Sequence, residues 1–327
     1  QVKTIGEESF RKCQSLETVY LPRCETVNNY GFYFTKRLQV VNLPIVKTIG
    51  DAAFMWASDA KLKIGDINNF QVAFGNTECS ALYLPYCESI GKYAFRSDHI
   101  DKVAFEKVSI PKCKKIGELA FEWMRNLKEV NVTQLETVEE GAFRRCFSLT
   151  KFGDLKLISE STGFNTPLLK TVGKIAFEID NETQTKIQQI SLPICETIEE
   201  GGFRRWRSVK KLSAPKCKTI KKEACYDFYK LNTLELPEVE TIGERAFVYN
   251  QQSFSGVLNL PKCKTIGKQA FAGSAWAHAK ITEVNAPECT DISEDAFIGS
   301  NTLNTIKASK ISNNKLKTII RNTKNHL

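Results

Sequence analysis

The run Leu16-Glu17-Thr18-Val19-Tyr20-Leu21-Pro22-Arg23-Cys24-Glu25-Thr26-Val27, closed by Phe32, decides the fold, because its parts recur in the same order along the whole chain. An Ile/Val-Gly-x-x-Ala-Phe block returns from Ile5-Gly6 to Phe10, Ile49-Gly50 to Phe54, Ile90-Gly91 to Phe95, Ile116-Gly117 to Phe121, Val172-Gly173 to Phe177, Ile242-Gly243 to Phe247 and Ile266-Gly267 to Phe271. Looser copies end at Phe32, Phe143, Phe203, Cys225 and Phe297. The twelve markers are separated by 22, 22, 41, 26, 22, 34, 26, 22, 22, 24 and 26 residues, a unit of 22 with insertions. A fixed period of this length is the signature of a stacked repeat.

Position confirms the unit. All ten prolines, from Pro22 to Pro287, fall in one slot, taken once by Thr133. Ahead of it runs Leu-x-x-Val-x-Leu, whose final alternation is that of a short half-buried strand. Proline, with no N–H to donate, ends that strand. Two residues later stands Cys24, Cys87, Cys113, Cys195, Cys217, Cys263 or Cys289. One residue further the charge alternates through eleven units: Lys3, Glu25, Lys47, Glu88, Lys114, Glu136, Lys170, Glu196, Lys218, Glu240, Lys264, then Thr290. For independent signs the chance is about one in a thousand. The pattern predicts a register-fixing surface ladder.

A 22-residue unit cannot bury its own Leu-x-Leu strand and Phe, so units must stack. The expectation is a right-handed α/β-type repeat solenoid with a mostly irregular convex side. About twelve short parallel strands would line a concave face of roughly 50 Å arc. The Gly after the Ile is expected in a backbone conformation closed to other residues. The solenoid spans residues 1–327 and is cut mid-repeat at its N-terminal end, where Val2-Lys3-Thr4-Ile5-Gly6 repeats Val46-Lys47-Thr48-Ile49-Gly50. Because the alternation is unbroken, residues 55–84 and 144–166 read as loop insertions. Two registers compete for the last strand, Leu303-x-x-Ile306-x-Ala308 and Lys315-Leu316-Lys317-Thr318-Ile319.

The string Leu-x-x-Leu-x-Leu-x-x-Cys-x-x-Ile resembles the leucine-rich repeat, and the Ile-Gly-x-x-Ala-Phe half resembles more narrowly its BspA-like class. The resemblance implies a horseshoe-shaped superhelix and a protein of microbial or protist cell surfaces, cell-surface or secreted, that adheres to host matrix or cell-surface proteins. It departs from members with Cys-rich caps, which neither end carries.

With 42% hydrophobic and 25% charged residues the chain can bury a core. No apolar run is long enough to span a membrane. The net charge of +9 does not argue for nucleic acid, since six of it lie in the basic end near 307–327 and the other 306 residues carry +3. Ten of eleven cysteines follow the repeat, leaving Cys79 outside it. No CxxC pair or Cys/His cluster suggests zinc. His99, His278 and His326 accompany no nucleophile motif, and no phosphate loop or dinucleotide fingerprint exists. The chain therefore reads as non-enzymatic and without cofactor.

Two surfaces stand out. Tyr20, Val40, Ile45, Tyr83 and Tyr86 supply the aromatic and apolar anchors of the expected concave face and predict a protein contact. Arg204, Arg205, Arg207, Lys210, Lys211, Lys216 and Lys222, with Lys218 and Lys221, form a basic stretch for an acidic glycan or other polyanion, though it lacks aromatic platforms except Trp206, which falls at a core position. A spacer displaying other regions is the third reading. Asn131-Val132-Thr133 and Asn181-Glu182-Thr183 are glycosylation sequons.

Overall fold

Period-two alternation buries Val19, Val41, Ile64, Leu82, Val108 and Val130 and leaves their neighbours on the outer face. The computed structural model describes residues 2–57, 62–74, 80–97, 105–179, 185–249, 255–273 and 280–325. They form two units, Gln1–Leu169 and Lys170–Leu327, each a parallel-strand β-solenoid of six turns.

In the first unit, three-residue strands build one sheet: Thr18–Tyr20, Val40–Asn42, Lys63–Gly65, Ala81–Tyr83, Lys107–Ser109, Glu129–Asn131, Lys151–Gly153 and Gly163–Asn165. Two-residue strands build a second: Thr4–Ile5, Thr26–Val27, Thr48–Ile49, Ser89–Ile90, Lys115–Ile116 and Thr137–Val138. The second unit repeats the plan, with two-residue strands from Thr171–Val172 to Asp291–Ile292. Its longer strands fall into two sheets, Gln189–Ser191, Lys211–Ser213 and Thr233–Glu235, then Ser255–Asn259, Lys280–Asn285 and Thr305–Lys307.

Between the sheets runs a column of phenylalanines. Phe10, Phe32, Phe54, Phe95, Phe121 and Phe143 stack with centroids 5.0–5.4 Å apart and planes within 16° of parallel. Phe247, Phe271 and Phe297 do the same in the second unit at 5.2 and 5.5 Å. Each fully buried ring contributes about 1.5–3 kcal/mol, available only when a neighbouring turn covers it.

The glycine after the Ile is needed for space and does not carry the special backbone. A Cβ on Gly91 would lie 2.6 Å from the carbonyl carbon of Gly50, and one on Gly117 2.7 Å from that of Gly91. The left-handed residue comes two positions later and is usually not glycine: Glu8 (φ 55), Tyr30 (φ 56), Ala52 (φ 50) and Leu119 (φ 54). A second follows four residues on, at Lys12, Phe34, Trp56 and Trp123. Each of these amides donates to the next turn, as Glu8 N to Asn29 O (3.0 Å) and Tyr30 N to Asp51 O (2.9 Å). The arm beside the Phe column is thus a chain of turns, and helices are few.

The charge ladder is a backbone ladder as well. Lys47 N donates to Glu25 O, Glu88 N to Lys47 O and Lys114 N to Glu88 O, at 2.8–2.9 Å. Above it, Lys47 Nζ reaches Glu25 at 2.7 Å, and in the second unit Lys264 reaches Glu240 at 2.6 Å and Lys218 reaches Glu196 at 3.5 Å.

Neither insertion is a plain loop. Each adds one strand to the sheet, Lys63–Gly65 and Lys151–Gly153, and among the described residues adds no two-residue strand. Thr48–Ile49 pairs directly with Ser89–Ile90, so the charge alternation passes over the first insertion unbroken. Both strands end in Gly-Asp. Gly65 (φ 118) and Gly153 (φ 109) turn the chain off the sheet into the short 3-10 helices Ile67–Asn69 and Leu155–Leu157. A Cβ at Gly65 would lie 1.8 Å from the carbonyl oxygen of Tyr83.

The last strand is Thr305–Lys307, with Ile306 beside Val284. The competing copy, Lys315 to Ile319, lies in the helix Asn313–Asn322. Ser312 caps it, accepting from Lys315 N, and Leu316, Ile319 and Ile320 form its inward stripe. Lys315 pairs with Asp291 at 2.9 Å, and Gly299 N donates to Thr323 O at 2.9 Å, fixing the helix on the final turn.

Gly65→Ala places a side chain into the Tyr83 carbonyl in a conformation reserved for glycine; we expect a loss of at least about 2 kcal/mol, read by urea denaturation. The lysines bound to Glu25, Glu238, Glu240 and Glu288 hold these carboxyls below their ordinary value of 4.5. Their stabilisation is complete above pH 4.5 and is lost as pH falls through the lowered values. Melting temperatures should therefore drop on acidification below 4.5, and less so in 1 M NaCl, which screens exposed pairs.

Candidate interaction surface

On the outer face of the first unit's three-residue-strand sheet, register sets one row as Tyr20, Asn42, Gly65, Tyr83, Ser109 and Asn131. The added strand puts three spacings, about 14 Å, between Tyr20 and Tyr83. Tyr20 stands alone, 62% exposed, while Val40 and Ile45 are half-buried. The five anchor residues are therefore not one patch.

Tyr83 instead belongs to a cluster supplied by the insertion. After Gly65-Asp66, the short helix Phe70–Phe74 brings the rings of Phe70 and Phe74 to 6.4 and 6.0 Å from Tyr83 and 5.7 Å from each other. The segment is anchored on the sheet: Asp66 N donates to Tyr83 O (2.9 Å), Ile67 N to Asn42 Oδ1 (3.3 Å), and Asn69 Nδ2 to Asp66 Oδ2 (2.7 Å). Asn42 is buried to 1% exposure beneath it, and all three rings remain half-exposed. Burial, then Asp66 and Tyr86 nearby, raises the pKa of the Tyr83 hydroxyl. Tyr86 is 46% exposed, with Lys112 Nζ 4.6 Å from its ring. The i, i+4 spacing of Phe70 and Phe74 was the available sequence signal.

Asn131 sits half-buried in this row, Nδ2 donating to Ser109 Oγ at 3.1 Å, and Thr133 Oγ1 donates to Pro111 O. Asn181, Cys79, His99, His278 and His326 lie outside the described residues.

The basic stretch lies in the second unit among carboxylates of other turns. Arg204 reaches Glu178 (3.2 Å) and Glu223 (3.3 Å), Arg205 reaches Glu178 (3.8 Å), and Arg207 reaches Asp227 (2.6 Å). Lys211, Lys221 and Lys222 pair with Glu235, Glu199 and Glu244. Burial outweighs Arg207 and raises the Asp227 carboxyl above its ordinary value. Lys210 and Lys216 are exposed. Trp206 is a core residue, 1% exposed, its Nε1 donating to Phe177 O. Much of the charge that could attract a polyanion is thus answered within the protein.

The slot cysteines are turn donors. Cys24, Cys87, Cys113, Cys195, Cys217, Cys263 and Cys289 each place Sγ 3.2–3.5 Å from the carbonyl two residues on. Burial pushes the Cys195 thiol up to about 11 and those of Cys87 and Cys217 to about 12. Among the described residues no group of three or more His, Cys, Asp or Glu could hold a metal ion, and Cys13 alone of ten cysteines is exposed. In a Cys79→Ser variant, an aromatic disulfide reagent at pH 8 should therefore modify Cys13 quickly and the other nine only on unfolding. Stability should also fall between pH 9 and 12, where the unfolded chain ionises thiols that the folded one keeps protonated.

No curated protein matches the sequence. Among solved structures, the chain is similar to a leucine-rich repeat protein from Bacteroides ovatus, at 20% identity and a TM-score of 0.48 over all of this chain and 87% of that one. A leucine rich cell surface protein from Faecalibacterium prausnitzii is 17% identical, with a TM-score of 0.40 over the same shares. The pneumococcal vaccine antigen PcpA is 16% identical, with a TM-score of 0.39 over 99% of this chain and 84% of that one. The BspA type leucine rich repeat region matches in six copies over residues 1–100, 88–162, 170–304 and 265–324. With its repeat matched over nearly the whole length and its strands and turns stacked as that repeat requires, the chain belongs to the BspA-type leucine-rich repeat family.

Proposed function

We propose that the chain is a non-enzymatic protein-interaction module, working at a cell surface or outside the cell. Its contact surface is the aromatic group that the first insertion builds on the sheet. The observation that carries this reading is the placement of Phe70 and Phe74 against Tyr83, half-exposed and tied down by Asp66 and Asn42. Large rings held rigid on a sheet lose little conformational freedom on binding and have the composition of interface hot spots. Tyr86, in the same turn as Tyr83 and under the Lys112 ammonium of the next, adds to the surface. Family membership supports the class of activity, and the partner class implied by the repeat is a host matrix or cell-surface protein. Among the described residues no helix is long and apolar enough to cross a membrane.

The test is capture of an identified matrix or cell-surface protein by the immobilised chain at physiological salt, followed by affinity measurement on variants. Tyr83→Ala and the double variant Phe70→Ala, Phe74→Ala should each weaken binding by about 2 kcal/mol or more, roughly 30-fold, with an unchanged circular dichroism melt. Unaltered affinity in both would remove this surface. Failure to retain any specific partner would favour a spacer.

A further inference from the structure

The arm of the first three turns carries a second aromatic group, unconnected with the sheet face. Lys12, Phe34 and Trp56 occupy the same left-handed slot of successive turns (φ 58, 59 and 58). Lys12 N donates to Tyr33 O at 2.8 Å and Phe34 N to Met55 O at 3.0 Å, so the slot is held by the ladder. Around it the rings meet: Tyr33 lies 5.3 Å from Trp56 and 5.6 Å from Tyr30, and Phe34 lies 6.0 Å from Trp56. These planes are inclined by 51–76°, unlike the parallel column beneath, and all four rings keep part of their surface in solvent.

Cations interleave with the rings. Arg11 Cζ stands 5.4 Å from the Tyr33 centroid and Lys36 Nζ 4.3 Å from that of Phe34. Arg11 is engaged by Glu8 at 2.5 Å, whereas Lys12 and Lys36 have no carboxylate partner among the described residues. In the stretch from Arg204 to Lys222 the cation over a ring, Arg204 at 5.4 Å from the Tyr226 centroid, is answered by Glu178 and Glu223, whereas here the cations Lys12 and Lys36 are not. Exposed carboxylates, Glu8 and Asp51, stand in the same turns.

We propose that this arm surface binds an acidic polysaccharide, one whose sugars carry carboxylates together with free hydroxyls. Sugar carboxylates meet Lys12 and Lys36, sugar hydroxyls donate to Glu8 and Asp51, and the C–H faces of the pyranose rings lie on Tyr30, Tyr33 and Trp56. The slot spans two turn spacings, about 10 Å, room for a short stretch of such a chain. A nucleic acid suits it less: its phosphodiester groups carry no hydroxyl to donate to Glu8 or Asp51.

Affinity electrophoresis and calorimetry at 50 mM NaCl, with hyaluronan and polygalacturonate as probes, test the proposal. Neutral dextran, poly-dT and poly-glutamate are the comparison ligands. The expected result is binding of at least one acidic polysaccharide, none of dextran, and at least a tenfold loss in both Lys12→Glu, Lys36→Glu and Tyr30→Ala, with melting curves unchanged. Tyr83→Ala should leave it intact, which separates this surface from the protein-binding one. Absence of binding to both acidic polysaccharides overturns the proposal, as does tighter binding of poly-dT or poly-glutamate. So does retention of binding in the arm variants with loss in Lys210→Glu, Lys216→Glu.

Discussion

A turn of about 22 residues has no inside. Its Leu-x-Leu strand and its phenylalanine gain burial only from the turn before and the turn after, so every other feature answers the need to hold turns in register. The Phe column places ring on ring, the glycine slot lets backbones approach to contact, and the Lys–Glu ladder sits on amides that bond from turn to turn. The exposed ion pairs are individually weak. They decide between registers, while the aromatic column and the hydrogen-bonded ladders hold whichever register is chosen.

That division of labour explains where the sequence was legible. Proline and cysteine slots, Leu-x-Leu alternation and marker phenylalanines are local consequences of one repeated environment, and each could be read from its own residues. The two-sheet solenoid follows from them. Features that depend on which turn lies next door were harder to read. The carboxylates that answer Arg204, Arg207 and Lys222 lie 19 to 26 residues away in the chain, so the stretch looks basic when read along the sequence and mixed when read across turns. The glycine slot misled for the same reason, because its requirement comes from the preceding turn and not from its own φ angle.

The insertions show a related limit. Lys63-Ile64-Gly65-Asp66 and Lys151-Phe152-Gly153-Asp154 are alike, and the shared Gly-Asp was the readable sign of a strand leaving the sheet. It was hidden because neither copy carries the proline or the marker phenylalanine by which turns were counted. Tyr83 was singled out for its place in the row. What lay over it was a second-order matter, since Phe70 and Phe74 gain meaning only once the half-turn beneath them is known.

The half-turn also constrains how such a protein can change length. Inserting one whole turn into an alternating ladder would set lysine on lysine or glutamate on glutamate at one junction, whereas a pair of turns restores the alternation. A Gly-Asp half-turn avoids the conflict, because it adds a strand to one sheet and no rung to the ladder. Growth of the array is therefore quantised: whole turns are best accommodated in twos, and half-turns enter singly, each free to carry new side chains onto the sheet without disturbing the order of charges along the stack.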